Sequence, residues 1–490
     1  MRSPSRITMV LILLVLGGCV RNLSPLPLVV SPTSVPLGSP SLVPYSTAMP
    51  TPIATQRPST TLVFPTAGPV STPTPMPTPS CADIAPFAPG CLDRDRPAEL
   101  ASEIAFVGVL PSDSISEAAW SPDGRCLAYG ILTSTESIVS EVQVRCQPDF
   151  QLAGRWNVPF LLPFGLLWTL DGRALVFFFL RDDGSSIGLA QLNRIEWQDL
   201  FVGKSPPHAA SIGRQFAGWL DDTTLAFTHA VGTGVAEFHW LDVTTGEILS
   251  SPDPESLGGL DQLFSPDRRW LAADDFGGVI PRAIVWELSR PDEPICLSNV
   301  FGTEHSDAQF WLGDSLGVVV YPPGNEWKDA TTLPHPDLYF WNAGGGETQL
   351  VARGAFRAVA APTGDRLAVV FFGEPHNGDE VVETTGTLPY LGLLEWPGGH
   401  LLATYPLGDE EFPGIWSVPH LTAPAWSPDG QWLALPLYGG GLVLMDRSGN
   451  IQPVLSNRQI EWAGWGSNGS LAMLIDNSIW LVRVPPLDGK

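Results

Sequence analysis

Basic residues are scarce in this chain of 490 residues: 26 Lys and Arg stand against 51 Asp and Glu, and the net charge at pH 7 is −25. Residues 1–80 hold four Arg and no acid, so residues 81–490 hold 22 basic and 51 acidic residues, a net charge of −29. A domain of this charge repels phosphate backbones, which argues against a nucleic acid as partner.

Long apolar segments with helical periodicity are also lacking, because 49 Gly and 49 Pro interrupt the apolar segments throughout. This excludes a mainly helical fold and, with 18 Trp, favours an all-β fold with many turns. Cysteines number only six, with no Cys-x-x-Cys pair and no Cys/His cluster, so the spacing typical of a structural zinc site is absent.

What the sequence does contain is one motif repeated eight times: an aromatic residue, a tight polar turn and a short apolar segment. The clearest copies are Trp-Ser-Pro-Asp-Gly at Trp120 and at Trp426. Weaker copies begin at Trp168, Trp219, Phe264, Trp311, Ala360 and Trp465, and successive copies start 39 to 66 residues apart. A repeat of this length with several short strands is typical of a propeller or a solenoid.

Each copy predicts one four-stranded blade of a single β-propeller. Pro and Gly at fixed turn positions, with Asp between them, favour a tight turn that joins two strands, and two further strand-like segments follow. Eight copies predict eight blades, and seven is the alternative if one weak copy does not form a full sheet. The last repeat offers three strands, and Glu103–Leu110 can supply the fourth, which would close the ring.

The amino terminus resembles a lipoprotein leader. Arg2 and Arg6 precede a short apolar core, and Leu16-Gly-Gly-Cys19 resembles the bacterial lipobox. We therefore expect residues 1–18 to be a signal peptide, with an ordinary signal peptide and a chance cysteine as the alternative. By this resemblance Cys19 becomes the first mature residue and carries acyl chains that anchor the protein to the membrane.

Residues 19–80 should form a linker. From Val20 to Ser80 the chain has 15 Pro, with Ser and Thr between them, so it cannot bury a core and is expected to be an extended, disordered spacer. The propeller then spans residues 81–490. This order places the propeller on the outer surface of a bacterial cell membrane or in the periplasm, where disulfides can form.

Two disulfides are predicted among the remaining cysteines. Cys81 and Cys91 lie ten residues apart before the first blade and would close a small loop. Cys126 opens the second strand of blade 1 and Cys146 ends the third, so that antiparallel pairing would make them neighbours. Cys296 is left over and is predicted to be buried or unpaired.

The Trp-Ser-Pro-Asp-Gly repeats at Trp120 and Trp426 resemble the WD40-like repeats of the TolB type, and the resemblance covers nearly all of residues 100–490. It implies an extracytoplasmic propeller. Members of this family range from protein–protein scaffolds to gating domains of peptidases, so the resemblance does not define a ligand. In TolB itself an α/β domain precedes the propeller, whereas a Pro-rich segment stands in that place here.

The position of a site follows from the order of strands in a blade. Turns between first and second strands, such as Ser427–Gly430, lie on one face, which we call the turn face. Segments that lead into the first strand or join the second to the third lie on the opposite face, which we call the loop face. Long insertions fall on the loop face in repeat five (Pro322–Asp337) and repeat six (Gly373–Pro389). Long segments on a rigid scaffold commonly carry binding residues.

His305 and His420 each stand six residues before the aromatic residue of their repeat, so both should occupy equivalent positions at the mouth of the channel. Other polar or aromatic residues expected on the same face complete the predicted ligand-binding set: Asp307, Trp327, His335, His376, Asp379 and Glu380. The hypothesis is a pocket for a polar ligand or a metal ion; the alternative is that these are solvated loop residues. The regular Trp residues are interpreted as packing between blades, not as a carbohydrate site.

These features predict a membrane-anchored, extracytoplasmic lipoprotein that binds a protein, peptide or envelope polymer through the loop face. The alternative is an extracytoplasmic glycan or peptide hydrolase or lyase with its site at the channel mouth. No cofactor is predicted apart from a metal ion at that mouth, no catalytic residue is assigned, and the propeller is expected to be monomeric.

Overall fold

The structure, a computed structural model, describes residues 96–485 except 111–114, 135–138, 160, 182–183, 205–215, 233–234, 250–261, 276–281, 291–292, 304, 323–334, 409–423 and 438. The predictions made for the leader, Cys19, the Pro-rich linker and the Cys81–Cys91 pair lie outside these described residues. Within the described ranges, no helix has the length and apolar character needed to cross a bilayer.

The described chain forms eight four-stranded antiparallel blades, numbered in chain order. Blades 1 and 2 consist of β2 (Ile115–Trp120), β3 (Cys126–Ser134), β4 (Val139–Cys146), β5 (Gln151–Val158), β6 (Leu161–Trp168), β7 (Ala174–Arg181), β8 (Gly184–Gln191) and β9 (Trp197–Lys204). Blades 3 and 4 consist of β10 (Phe216–Trp219), β11 (Thr224–Gly232), β12 (Val235–Asp242), β13 (Glu247–Leu249), β14 (Gln262–Phe264), β15 (Trp270–Asp275), β16 (Arg282–Glu287) and β17 (Ile295–Cys296), which the short helix α1 (Leu297–Phe301) follows.

Blades 5 and 6 consist of β18 (His305–Leu312), β19 (Ser315–Tyr321), β20 (Asp337–Asn342), β21 (Thr348–Arg353), β22 (Ala355–Ala360), β23 (Arg366–Asn377), β24 (Val382–Glu395) and β25 (Leu401–Pro406). Blades 7 and 8 consist of β26 (Ala425–Trp426), β27 (Trp432–Pro436), β28 (Gly441–Asp446), β29 (Ile451–Ser456), β30 (Trp462–Trp465), β31 (Ser470–Ile475), β32 (Ser478–Arg483) and, from the start of the chain, β1 (Ala105–Leu110).

The ring closes as the sequence predicted. Strand β1 pairs antiparallel with β32, with Phe106 opposite Val482 and Leu110 opposite Ile479, so the first strand of the chain is the outermost strand of the last blade. This confirms eight blades over seven. Just before β1, Ala101 donates a backbone hydrogen bond to Val454 of blade 7 (2.9 Å), so the start of the chain also contacts the neighbouring blade.

The core is divided among the seams between neighbouring blades. Each of the eight neighbouring pairs in the described structure, including blade 8 with blade 1, shares one cluster of buried apolar side chains. A strand between two seams is therefore apolar on both faces. In β27, Leu433 and Leu435 pack toward blade 6, while Trp432 and Ala434 pack toward blade 8. The short apolar segment of each motif follows from this burial on two sides.

The repeated Trp residues connect neighbouring blades. Each indole Nε1–H donates to a backbone carbonyl on the first strand of the preceding blade. The bonds are Trp120 to Gly464 (2.9 Å), Trp168 to Ala119 (3.0 Å), Trp219 to Trp168 (2.7 Å), Trp311 to Leu263 (3.0 Å), Trp426 to Val359 (3.4 Å) and Trp465 to Ala425 (2.8 Å). Phe264 and Ala360 stand at the equivalent positions of their repeats, and their side chains have no N–H group. The interpretation of the Trp series as packing between blades is confirmed.

The polar turn of the motif is held by its own side chains. In the first copy, Ser121 Oγ donates to Asp123 (2.6 Å) and accepts from the backbone N–H of Cys126 (2.9 Å). Gly124 takes a positive φ of 65°, which Gly adopts without steric cost. The same bonds recur at Ser427 and Asp429, so the turn chemistry read from the sequence is confirmed.

The predicted disulfide between Cys126 and Cys146 is present, and the two residues are directly opposite one another in the pairing of β3 with β4. Cys296, the last residue of β17, is a thiol of intermediate exposure. The bond joins adjacent strands of one blade, so it fixes the register of β3 and β4 and does not link blades.

Candidate functional site at the channel mouth

His305 and Asp307 lie where the sequence predicted them, at the start of a first strand. They are residues one and three of β18, the innermost strand of blade 5, and both are partly exposed. Strand β18 begins on the loop face, so both residues lie near the mouth of the channel. The tight turn after β18 lies on the turn face, so the first residues of this strand must lie at the loop face.

Three further polar residues from neighbouring strands end at the same mouth. Tyr321 is the last residue of β19 and pairs with His305. Asp274 lies next to the end of β15 in blade 4, and Arg357 lies near the start of β22 in blade 6. We call these five residues the mouth cluster. It spans blades 4, 5 and 6, with Asp274 and Tyr321 buried and the other three partly exposed.

Side-chain hydrogen bonds at the mouth cluster join these blades. Asp274 Oδ1 accepts a hydrogen bond from the backbone N–H of Ala308 (3.0 Å), which crosses from blade 4 to blade 5. Gln309 Oε1 accepts from the N–H of Ala358 (3.1 Å), which crosses from blade 5 to blade 6. Hydrogen bonds to backbone N–H groups across a seam fix the relative position of the two strands that they join. The strands that carry the mouth cluster are therefore held in fixed positions relative to one another.

The electrostatic setting of Tyr321 is unusual. Burial raises the pKa of its phenol, and the carboxylates of Asp307 and Asp274 raise this pKa further, while the guanidinium of Arg357 lowers it. The phenol therefore stays protonated at neutral pH. The mouth cluster offers a guanidinium, carboxylates, a phenol and an imidazole, which suits hydrogen bonding to a polar polymer such as a peptide or a glycan.

Other predicted residues lie elsewhere or outside the described chain. Trp327 and His420 are not among the described residues. His335 precedes β20, and its ring contacts Phe372 edge-on, with 5.8 Å between ring centroids. His376 is exposed near the end of β23, and Asp379 and Glu380 are exposed in the turn that follows. These last three are not part of the mouth cluster.

The repeat-six insertion, expected to be a long loop, is instead mostly a β-hairpin. Glu374–Asn377 of β23 pairs with Val382–Thr385 of β24. Val382 is buried in the seam between blades 5 and 6 and pairs in parallel with Ala352 of β21, so the two blades share one eight-stranded sheet.

Burial on one face explains the difference, since Val382 and Pro375 are buried while Glu383, Glu374 and His376 are exposed. At the tip, the Asn377 side chain accepts from the backbone N–H of Leu401 (2.9 Å), on the outermost strand of blade 6. The tip of the hairpin therefore lies at the outer rim of the propeller, away from the innermost strands.

Two Gly-x-Ser-x-Gly strings occur in the chain, and neither forms a nucleophile elbow. Ser186 of the first is fully buried within β8. Ser315 of the second opens β19 directly after the turn from β18, so it lies between two strands and not between a strand and a helix. In the part of the chain that the structure describes, no three His, Cys, Asp or Glu side chains come together as a metal site.

Asp274, Tyr321 and Arg357 were not identified from the sequence. A signal did exist for Arg357, because a charged residue three positions before the repeat's aromatic position interrupts an apolar first strand. Glu117 stands at the same position of the first repeat, before Trp120. Asp274 and Tyr321 lie at the ends of the second strands of blades 4 and 5. Only the ring geometry brings these strand ends beside the first strand of the following blade.

Comparisons with known proteins define the fold. No protein-family model matches the chain. No curated protein matches its sequence. Among solved structures, the chain is similar to the carboxy-terminal WD40 domain of Sif2, at 15% identity and a TM-score of 0.50, over 78% of this chain and 98% of that one.

Two lower-scoring similarities are to the propeller domain of Cps50 (Swd1) from Myceliophteria thermophila and to a eukaryotic initiation factor. The first has 14% identity and a TM-score of 0.41, over 78% of this chain and 100% of that one. The second has 13% identity and a TM-score of 0.44, over 76% of this chain and 91% of that one. The fold is a WD40-like β-propeller, and at these identities its partners do not transfer.

Proposed function

We propose that the protein is a bacterial lipoprotein of the TolB-like propeller type, anchored by Cys19 on the extracytoplasmic side of the membrane. Its function is to bind a protein, a peptide or an envelope polymer at the mouth cluster. The leader with its lipobox-like end and the Pro-rich segment support the anchor and the spacer. The Cys126–Cys146 pairing is consistent with an oxidising compartment.

The observation that carries the binding proposal is the mouth cluster itself. His305, Asp307 and Arg357 are partly exposed above the buried Asp274 and Tyr321, on strands held together by side-chain bonds across two seams. Pre-positioned polar groups lower the cost of ordering on binding. A ligand that offers both donors and acceptors, as a peptide backbone or a glycan does, can pair with a carboxylate and a guanidinium together.

The test compares the full-length protein with a D307N/R357Q double variant. Both are immobilised and exposed to an envelope extract of the bacterium that makes the protein, and retained components are quantified by mass spectrometry. We expect a component bound by the parent protein to fall about tenfold or more in the double variant, because each substitution removes a charge-assisted hydrogen bond. R173Q, on the turn face of blade 2, is the control and should retain the component.

Equal retention by the parent protein and the D307N/R357Q variant would contradict the binding site. Release of cleavage products from an envelope polymer by the parent protein, lost in H305A, would instead assign the hydrolase or lyase function.

The anchor is tested separately: C19S should lose labelling by palmitate and appear in the culture medium. Retention of both label and membrane association in C19S would contradict lipidation at Cys19.

A further inference from the structure

Two neighbouring clefts lie on the turn face, opposite the mouth cluster. The first, of about 580 Å³, lies between blades 7 and 8 and is lined by residues that include Asp429, Trp432 and Trp465. The second, of about 450 Å³, lies between blades 8 and 1 and is lined by Arg125, Gln147, Pro148, Asn468 and Arg483. Asn468 lines both clefts, so they adjoin at the turn of blade 8.

The second cleft, which we call the arginine cleft, has the opposite sign from the domain that contains it. Residues 81–490 carry a net charge of −29, yet the described residues that line this cleft include two Arg and no acid. Within the described chain, neither Arg125 nor Arg483 forms an ion pair. The nearby Asp123 carboxylate accepts from Ser121 Oγ (2.6 Å) and from the backbone N–H of Arg125 (3.0 Å), so its own turn holds it. The Arg125 guanidinium also attracts this carboxylate and contributes to lowering its pKa, but Arg483 does not.

Comparison with the next repeat shows that this arrangement does not follow from the motif alone. Arg173 stands at the position of Arg125 in repeat two, where it is 87% exposed and 3.8 Å from Asp171. In the arginine cleft, by contrast, a second Arg from the end of β32 joins Arg125, and Gln147 and Asn468 line the same cleft. The Gln147 amide nitrogen already donates to the carbonyls of Gly124 and Ser467 (3.3 Å each). The two guanidinium groups and the Asn468 amide form a set that suits a carboxylate or phosphate group.

The first cleft restricts the charge of the remaining part of the ligand. Its lining combines the apolar Trp432, Trp465 and Val484 with the carboxylate of Asp429, so a second anionic group would be repelled there. A ligand that spans both clefts therefore carries negative charge at one end only. A polyanionic glycan does not meet this condition, whereas a peptide with an acidic end and neutral residues before it does.

We propose that the turn face carries a second binding site, in which Arg125 and Arg483 hold the acidic end of an extended peptide whose neutral residues occupy the first cleft. This site is separate from the mouth cluster in both position and residues. The ring closure builds it, because Arg125 belongs to the first blade and Arg483 to the last.

The test is fluorescence polarisation with the full-length protein in detergent and a labelled peptide, Ser-Leu-Ser-Glu-Glu, with a free carboxy terminus. Amidated Ser-Leu-Ser-Gln-Gln is the neutral control. We expect the acidic peptide to bind, the neutral one to bind about tenfold or more weakly, and R125Q/R483Q to lose a similar factor. R173Q should bind like the parent protein. Added salt should weaken binding, since both Arg are on the surface.

Equal binding of the two peptides, or unchanged binding by R125Q/R483Q, would overturn the proposal. Competition with inorganic phosphate identifies the chemistry: displacement of the peptide supports a shared oxyanion site, while binding of phosphate without any binding of the peptide overturns the peptide assignment. The single variants R125Q and R483Q, each expected to be weaker than the parent, serve if the double variant does not fold. D307N/R357Q should bind the peptide normally, which separates this site from the proposed function.

Discussion

Blade 1 meets blade 8 on one side and blade 2 on the other, and the two seams differ in chemistry. Along β4, Val142 and Val144 pack in the apolar seam toward blade 2. The alternating residues Glu141, Gln143 and Arg145 are also buried, but they face the seam toward blade 8. A seam between consecutive repeats is therefore apolar along this strand, whereas the seam that closes the ring covers polar groups.

The buried polar side chains of β4 are paired mainly within blade 1, although Arg145 Nη2 has no hydrogen-bond partner among the described residues. Tyr129 donates to Gln143 (2.7 Å), and Arg145 donates to the Tyr129 hydroxyl (3.0 Å) and to the carbonyl of Phe150 (2.9 Å). Arg155 donates to Glu141 (2.7 Å). Blade 8 supplies none of these four bonds. Blade 8 is the last blade to be synthesised. Because the polar residues of β4 are paired within blade 1, this blade exposes less apolar surface before blade 8 is available, and we interpret the difference between the seams in this way.

The largest expected effect comes from breaking this network. Arg145→Met removes donors from Tyr129 and Phe150 in a buried seam, and we expect a loss of about 4 kcal/mol in the free energy of unfolding. Val144→Ala, the adjacent residue on the opposite seam, should cost about 2 kcal/mol because it only truncates an apolar side chain. Urea denaturation followed by circular dichroism measures both variants. A smaller loss for R145M than for V144A would contradict a stabilising role for the network.

The turns of repeats one and two provide a second, smaller contrast. Gly124 and Gly172 have nearly the same φ, 65° and 67°. A Cβ at Gly124 would lie 2.3 Å from the backbone N of Ser467 in blade 8, whereas one at Gly172 would lie 3.7 Å from Pro122. The backbone N–H of Ser467 also donates to the carbonyl of Gly124 (2.7 Å), so the closing turn has no room to shift.

We expect Gly172→Ala to cost about 1 kcal/mol, the cost of a left-handed conformation for a residue with a Cβ. Gly124→Ala should cost about 2 kcal/mol more, because overpacking against a fixed backbone adds to that cost. Thermal unfolding of the two variants side by side measures the difference. Equal losses would show that the two blades can separate at the turn without penalty, and that the turn does not contribute to closure.

The sequence predicted what depends on local chemistry and repetition. The turn at Ser427–Gly430, the Trp packing, the eight blades and the Cys126–Cys146 bond all follow from residues close in the chain or from the period of the motif. The mouth cluster was predicted only in part, since His305 and Asp307 lie on one strand, whereas Asp274 and Arg357 come from other blades.

The repeat-six hairpin and the arginine cleft were not predicted for a related reason. The hairpin depends on a parallel pairing between Val382 and Ala352 in different repeats. The arginine cleft depends on Arg125 and Arg483, which are near opposite ends of the propeller's sequence and line one cleft only because the ring closes. Contacts made between only one particular pair of repeats leave no periodic signal in the sequence.

The smallest effect concerns the seam between blades 1 and 2, where one polar residue interrupts the apolar contact. Glu117 of β2 accepts hydrogen bonds from the backbone N–H groups of Leu166 (3.0 Å) and Gly165 in blade 2. Burial nevertheless raises the pKa of this carboxyl to about 8, while the two N–H groups lower it. The folded protein therefore retains a proton on Glu117 at pH values where the unfolded chain, with a pKa near 4.5, has released it.

The sign of the pH dependence follows from this difference. The contribution of Glu117 to stability is fully present below about pH 4.5 and is lost as the pH rises toward 8, because the unfolded state then binds fewer protons. Glu117→Gln keeps the acceptor and removes the titration. From about pH 6 to about pH 7, we expect the stability of E117Q relative to the parent protein to rise by about 1.4 kcal/mol.

Asp171→Asn is the matched control in the turn of blade 2, since the N–H of Arg173 and the hydroxyl of Thr169 lower the pKa of Asp171 below its usual value. That carboxylate is already ionised in both states at neutral pH, so D171N should show no change relative to the parent protein over the same interval. Melting temperatures of the three proteins at both pH values provide the measurement. If E117Q followed the parent protein in parallel, Glu117 would be ionised in the fold, and the seam toward blade 2 would hold a buried charge as the closing seam does.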